Sequence, residues 1–257
     1  MFYRIVKKPV WGFILRYGRP FLISLVSILL SACEDSLGGQ QSPQNYSCGD
    51  VSRGHCYAES FLGDHLTGFR STFTVVGRFL AGDGFITNEF WLNNYNGTNG
   101  WIEIGYQANG IDSPKYFWAV LDPDTGFFKK YDIGPIPQEE MGTRVDFDIH
   151  QIAEDVFIIS IEGTKTHFST TVDINLWDGT YGGYAVLGQE LAGSKGAVAS
   201  LAEFVHNQVY DKNFKRRFAT EIDSSSEKID KPPYGGWLQK PAAGIEGGTF
   251  STYCCAP

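Results

Sequence analysis

Apolar and polar positions alternate along the chain in short segments, which is typical of β-strands with one buried face. The clearest segment is residues 101–106. Alternation places Trp101, Glu103 and Gly105 on one face of the strand and Ile102, Ile104 and Tyr106 on the other. A second segment, residues 184–191, places Gly188 and Glu190 on a common face in the same way. Each of these predicted strands therefore carries a Glu with a Gly two positions away, which leaves open space beside the carboxyl group.

Similar segments recur through the rest of the sequence. They lie at residues 69–76, 85–92, 116–120, 127–131, 145–149, 156–161, 167–174 and 202–210. Between them the chain is rich in Asn and Gly, as in residues 93–100, which favours turns. No internal repeat and no long amphipathic helix pattern is present. About ten short strands separated by turns predict an all-β protein, an antiparallel β-sandwich or jelly roll.

The N-terminal segment combines basic residues with an apolar run. Five Lys and Arg residues precede residues 21–30, an apolar stretch about half as long as a membrane-spanning helix. Small residues end this stretch, as in secretory signal peptides. The run Leu30-Ser31-Ala32-Cys33 resembles the lipobox of bacterial lipoproteins, in which the signal is cleaved before a cysteine that is then lipidated. We therefore expect residues 1–32 to be removed and Cys33 to carry the lipid.

The remaining chain is expected to comprise a tether, one domain and a tail. Residues 33–55 begin with the lipidated cysteine and are largely polar, rich in Gly, Gln and Ser, as flexible tethers are. Residues 56–211 contain the predicted strands and are long enough to form one sandwich. Residues 212–257 indicate a loop-like tail that a disulfide holds to the domain.

Without the signal segment the chain is strongly acidic. Residues 1–32 hold five of the 21 basic residues and no acidic one, so 16 Lys and Arg remain against 29 Asp and Glu, a formal charge of −13. A surface of this charge makes nucleic acid an unexpected partner. It suits an exported protein that works in acid, where protonation of carboxylates relieves their mutual repulsion.

Export to an oxidising compartment makes disulfides the expected state of four further cysteines: Cys48, Cys56, Cys254 and Cys255. Neighbouring side chains of an extended chain point to opposite sides, which favours separate partners for Cys254 and Cys255. We expect bridges from Cys48 and Cys56 to this C-terminal pair, each worth about 4 to 5 kcal/mol in the chain-entropy model. A local bridge between Cys48 and Cys56 is the alternative.

The familiar motifs of hydrolases and nucleotide enzymes are missing from the sequence. It has no Gly-x-Ser-x-Gly, no His-Glu-x-x-His and no phosphate-binding loop, and its five histidines form no ligand pattern. The short run at residues 122–126 favours a turn over a calcium loop, so no metal and no cofactor is expected. Two carboxyl groups in one groove can still provide an acid and a base, because neighbouring like charges do not both ionise readily.

Three runs resemble the neprosin family and, more distantly, the eqolisin-type glutamic peptidases: Gly100-Trp101-Ile102-Glu103-Ile104-Gly105-Tyr106, Tyr116-Phe117-Trp118-Ala119 and Gly188-Gln189-Glu190-Leu191. Those families are antiparallel β-sandwiches that cleave peptide bonds in acid with two residues across a concave sheet. The resemblance implies that Glu103 is the first catalytic residue, a Glu in neprosins and a Gln in eqolisins. It implies that Glu190 is the second catalytic residue, which in neprosins follows two glycines. In this sequence Gly188 is the first of these glycines, and Gln189 stands in place of the other.

Five residues near this pair are candidates for the wall of a substrate groove: Trp101, Tyr106, Tyr116, Trp118 and Gln189. Aromatic side chains fill the cores of sandwiches as readily as they line grooves, so only a few of the four are expected to reach substrate. The Gln189 amide can stabilise an oxyanion, although alternation puts it on the face opposite to Glu190.

The sequence thus predicts a lipoprotein of the bacterial cell envelope, at the outer membrane or the periplasmic face, whose domain is an acid-active glutamic endopeptidase. Its expected partner is a polypeptide substrate, it reaches the membrane only through its lipid, and it is expected to be a monomer. The alternative is a sandwich without catalysis that binds glycan or extended peptide in the groove. A glycosidase is a third reading, since it uses two carboxyls about 5 to 5.5 or 6.5 to 9.5 Å apart.

Overall fold

The computed structural model describes residues 54–94, 100–177, 182–193, 196–220, 223–230, 232–237 and 246–255. The predicted signal segment, Cys33, the tether up to residue 53 and Cys48 lie outside these residues. Among the helices of the described part, none has both the length and the apolar character needed to cross a membrane.

Within the described residues the chain forms sixteen strands and one short 3-10 helix, Gln138–Glu140. The first eight strands are β1 (His55–Leu66), β2 (Gly68–Thr74), β3 (Phe79–Leu80), β4 (Phe85–Asn94), β5 (Trp101–Asn109), β6 (Lys115–Leu121), β7 (Phe128–Pro135) and β8 (Arg144–Ala153). The other eight are β9 (Val156–Glu162), β10 (His167–Asp173), β11 (Gly183–Ala192), β12 (Val198–Tyr210), β13 (Arg216–Phe218), β14 (Ser224–Ile229), β15 (Tyr234–Trp237) and β16 (Phe250–Cys254).

The strands make two antiparallel sheets. The first has the order β14-β1-β11-β4-β5-β6-β7. The second has the order β10-β9-β8-β2-β12-β16-β15, with β3 and β13 also paired to β12. Inward-facing side chains of both sheets share one hydrophobic core, so the predicted antiparallel β-sandwich is confirmed.

Aromatic side chains hold the two sheets together. Phe69 of the second sheet packs edge-on against Phe90 of the first at 4.9 Å between ring centroids. Phe73 stacks on Phe147 at 3.8 Å and lies 6.0 Å from Tyr106. All five rings are completely or almost completely buried, and burial of each such side chain stabilises the fold by about 1.5 to 3 kcal/mol.

The sheet extends beyond both ends of the strands predicted from the sequence. β1 precedes the first predicted strand and pairs with β11 and β14. The segment from residue 212 onward, predicted to be a loop-like tail, contributes β13 to β16, so that prediction is wrong. A segment such as Ser224–Ile229 lacks apolar alternation. It forms a strand because its backbone N–H and C=O groups make hydrogen bonds with a neighbouring strand.

The predicted bridges from Cys48 and Cys56 to the C-terminal pair are wrong, because Cys254 and Cys255 are joined to each other. Their Cα atoms lie 3.7 Å apart, and Cys255 follows the end of β16 with a positive φ of 53°. The chain therefore leaves the extended conformation at this point, and the rule that neighbouring side chains diverge no longer applies. Cys56 is also disulfide-bonded.

Candidate active site

The outer face of the first sheet carries the predicted catalytic residues. On β5 the apolar Ile102, Ile104 and Tyr106 are fully buried in the core, as alternation predicts. Glu103 therefore projects from the opposite face, together with Trp101. On β11, Leu187 and Leu191 enter the core, which leaves Glu190 on the outer face as well.

Both glutamates line one cavity of about 700 Å³ on this outer face. This volume lies within the range of about 300 to 1,000 Å³ that is usual for ligand sites. Side chains from β1, β4, β5, β7, β11 and β14 surround it. The structure thus brings the two predicted carboxylates to one site.

Strand β4 runs between the strands of the two glutamates and contributes a third one. Glu103 lies opposite Trp91 of β4, and Glu190 lies opposite Thr87. Glu89, midway between these positions, lies opposite Gly105 on one side and Gly188 on the other. The three glutamates therefore follow a diagonal across the sheet, where successive Cα atoms are about 7 to 8 Å apart.

The two glycines beside Glu89 are required by close packing of the backbone. A Cβ atom at Gly105 would lie 2.3 Å from the carbonyl oxygen of Asn88 and 2.6 Å from Cβ of Glu89. A Cβ atom at Gly188 would lie 2.0 Å from the carbonyl oxygen of Ala58. Since no side chain fits at either position, the diagonal of carboxyl groups is not covered by its immediate cross-strand neighbours.

Glu103 is held by two indole groups. Trp91 and Trp101 both donate from Nε1 to Oε2 of Glu103, at 2.7 and 3.0 Å. Burial raises the pKa of Glu103 to about 7, and the negative charge of Glu190 adds to the rise, while the two indole hydrogen bonds oppose it. Glu103 is therefore a carboxylic acid in mildly acidic solution. Its Oε1 accepts neither of the two indole hydrogen bonds.

Glu190 has a cationic partner instead. Nδ1 of His55 on β1 forms a hydrogen bond and ion pair with Oε1 of Glu190. This bond is the main reason why the pKa of His55 is raised, because it favours the imidazolium form. The Tyr57 hydroxyl lies 3.3 Å from the same nitrogen. The cationic partner of Glu190 is therefore this imidazolium, whereas the partners of Glu103 are two neutral indoles.

The structure separates the predicted groove residues into two groups. Trp101 lines the cavity. The other four face the core or are buried beneath the sheet: Tyr106, Tyr116, Trp118 and Gln189. Tyr116 donates to Glu140 at 2.8 Å, and Gln189 donates to Asn88 at 3.0 Å. Their assignment to the groove is wrong, because alternation on β5, β6 and β11 turns them inward.

Several residues of the site were missed by the sequence analysis. The cavity is also lined by His55, Tyr57 and Glu59 on β1, Trp91 on β4 and Lys130 on β7, and Glu89 is buried on β4 between the strands of Glu103 and Glu190. Burial raises the pKa of Glu59 to about 7 and lowers the pKa of Lys130. The signal for Glu89 was available, since alternation puts it on the same face of its strand as Trp91. The β1 residues lie before the first predicted strand and had no comparable signal.

Comparisons with known proteins show the fold. No protein-family model matches the chain, and a search of curated proteins gives no significant match. Among solved structures, scytalido-glutamic peptidase with a transition state analog inhibitor is similar at 13% identity and a TM-score of 0.54, covering 77% of this chain and 98% of that one. SCP-B, a member of the eqolisin family in complex with the tripeptide Ala-Ile-His, is similar at 12% identity and a TM-score of 0.51, with the same coverages. The chain therefore has the fold of glutamic peptidases.

Proposed function

We propose that the protein is an acid-active glutamic endopeptidase in which Glu190 is the general base and Glu103 the general acid. The observation that carries the proposal is the contrast between the two carboxyl groups within one cavity. Glu103 is half-buried with a pKa of about 7, whereas Glu190 forms an ion pair with His55. Two carboxyls whose surroundings favour opposite protonation states are suited to acid and base roles.

Hydrolysis then follows from these protonation states. The Glu190 carboxylate takes a proton from a water molecule, and the water oxygen attacks the scissile carbonyl carbon. Glu103 gives its proton to the carbonyl oxygen, so the tetrahedral intermediate is neutral. As the C–N bond breaks, Glu190 passes its proton to the amine, and the hydroxyl proton of the intermediate returns to Glu103. Both carboxyl groups end the cycle in their starting states.

Aromatic side chains on either side of β4 favour a peptide as the substrate. Trp101 of β5 and Phe128 of β7 lie 6.4 Å apart on one side of the cavity. Phe61 of β1 and Tyr184 of β11 lie 6.2 Å apart on the other side. Each pair offers an apolar surface for a substrate side chain in the cavity that Glu103 and Glu190 also line.

The proposal is tested by incubating the purified protein with a denatured protein mixture between pH 2 and 8. We expect cleavage that declines as the pH rises through about 7, where Glu103 loses its proton. Glu103→Gln and Glu190→Gln are each expected to lower kcat at least about 100-fold, since a positioned acid or base contributes about 10² to 10⁴. Glu139→Gln, at an exposed position, is the matched control. No cleavage by the wild type at any pH would refute the proposal.

We further propose that the protein is a lipoprotein of the bacterial cell envelope, anchored through Cys33. The lipobox-like run and the preceding apolar segment support this proposal. Labelled palmitate is expected to be incorporated into the wild type and not into Cys33→Ser. Equal labelling of the two proteins would contradict the proposal.

A further inference from the structure

Glu89 lies at the centre of the site and has no role in the proposed hydrolysis. On β4 it lies midway along the diagonal between Glu103 and Glu190, one strand from each. Its side chain is completely buried. Neither of its carboxyl oxygens has a partner in ideal hydrogen-bond geometry among the described residues. The side chains of Glu190 and Thr87 nevertheless lie near enough to shift the pKa of Glu89 as hydrogen-bond partners. A carboxyl group buried at this depth without a well-formed hydrogen bond is costly, so its presence between two other carboxyls indicates a function.

Four titratable groups on four strands face Glu89 or act on it electrostatically: Glu103 on β5, Glu190 on β11, Tyr57 on β1 and Lys130 on β7. Burial raises the pKa of Glu89 well above its ordinary value, and the charges of Glu103 and Glu190 raise it further. Lys130 is the only cation of the four, and burial lowers its own pKa. Glu89 is therefore a neutral acid with one O–H group to donate.

The reaction moves negative charge from one neighbour of Glu89 to the other. Before attack the charge is on Glu190, and after attack Glu190 is protonated while Glu103 is a carboxylate. A hydrogen bond from a neutral acid to a carboxylate is among the strong ones, because the acceptor is charged. A donor situated between the two carboxyls can serve each of them in turn.

We propose that Glu89 is a positioning residue of the site, a permanently neutral carboxylic acid whose O–H donates to whichever of Glu190 and Glu103 is ionised. This inference rests on the proposed peptidase function. Glu89 keeps its proton throughout, so the proton balance of the reaction is unchanged. In the resting site it keeps the base ionised, and after attack it stabilises the carboxylate left on the acid.

The test compares two substitutions of similar size at position 89. Glu89→Gln retains a neutral donor and is expected to keep kcat within about threefold of the wild type. Glu89→Met removes the donor and is expected to lower kcat about tenfold or more, with KM unchanged, because a hydrogen bond to a charged group is lost. Loss of the donor is also expected to move the acid limb of the pH profile to higher pH in Glu89→Met.

Glu59→Met is the matched comparison, since Glu59 is a buried carboxyl of the same cavity that lies opposite Gly188 on the side away from Glu103. Both substitutions are compared by their fold decrease in kcat. The decrease caused by Glu59→Met is expected to be at least about fivefold smaller than the decrease caused by Glu89→Met. Equal kcat and pH profiles in Glu89→Met and the wild type would overturn the inference alone. Glu89→Gln as impaired as Glu89→Met would also overturn it, because the donor would then not be what matters.

A measurement that needs no substrate keeps the inference testable if Glu89→Met does not fold. Carboxyl carbons of ¹³C-labelled glutamate are followed by NMR during a pH titration, and the Glu89 signal is assigned from its absence in Glu89→Gln. We expect Glu89 still to be protonated at pH 7, and ionisation near its ordinary value of 4.5 would refute the inference. Failure of the wild type to cleave any peptide would instead refute the proposed function, and the role of Glu89 with it.

Discussion

Glu103→Gln is expected to stabilise the folded protein in neutral solution, whether or not the site is catalytic. Glutamine is neutral, has nearly the same shape, and keeps a carbonyl oxygen that can accept from the Trp91 and Trp101 indoles. The substitution therefore removes the ionisation of a half-buried group and little else. A surface glutamate exchanged in the same way is expected to change stability by less than about 0.5 kcal/mol.

The magnitude follows from the pKa of Glu103 in the two states. It is about 7 in the folded protein and 4.5 ordinarily, and each unit of difference corresponds to about 1.36 kcal/mol. Because the folded value is the higher one, the folded state of the wild type binds this proton more tightly. Stability from this group is complete below pH 4.5, falls as the pH rises to 7, and is then lower by about 3 kcal/mol.

Urea denaturation of the wild type and Glu103→Gln at pH 4.5 and pH 8 measures this effect. The difference in unfolding free energy between the two proteins is expected to shift in favour of the variant by about 3 kcal/mol between these values. Contributions of groups distant from Glu103 cancel in the comparison, and Glu139→Gln at its exposed position controls for the chemical exchange. A difference that is the same at both pH values would show that Glu103 is not perturbed by burial, and would refute the reasoning.

Two further substitutions probe the site and its support. Trp91→Phe removes the 2.7 Å hydrogen bond to the ionised form of Glu103, so the pKa of Glu103 is expected to rise by about one unit and the alkaline limb of kcat/KM to move up with it; a limb that moved down would contradict this. Glu140→Gln alters a fully buried carboxylate that accepts from the backbone of Lys165 and Thr166 at 2.6 and 2.7 Å and from Tyr116 at 2.8 Å. The substitution is expected to cost about 3 kcal/mol in urea denaturation at pH 7, and an unchanged midpoint would show that these bonds are replaceable.

Alternation along single strands was enough to predict the fold class and the faces of the central strands. On β5 it separates Glu103 from Ile102, Ile104 and Tyr106, and the burial of these three side chains confirms the separation. On β11 it places Glu190 and Gln189 on opposite faces. These predictions hold because the direction of a side chain in a strand depends only on its position within that strand.

Strand order and register were decided by the tertiary structure. His55 and Glu190 are 135 positions apart in the sequence, and they meet only because β1 pairs with β11 in one register. Tyr116 and Trp118 were assigned to the groove because an aromatic side chain suits either face, and only the packing of β6 in the sheet distinguishes the two.

Glu89 shows the same division between what the sequence determines and what the tertiary structure determines. Alternation gives the face of Glu89 on its own strand, but its position between Glu103 and Glu190 depends on β4 lying between β5 and β11. A periodic pattern is a local property of the chain, whereas the neighbours of a strand are selected by the packing of the whole core. The sequence by itself determined that two strands each present a carboxyl group on one face. The fold determined that these two carboxyl groups share a site with a third, that of Glu89.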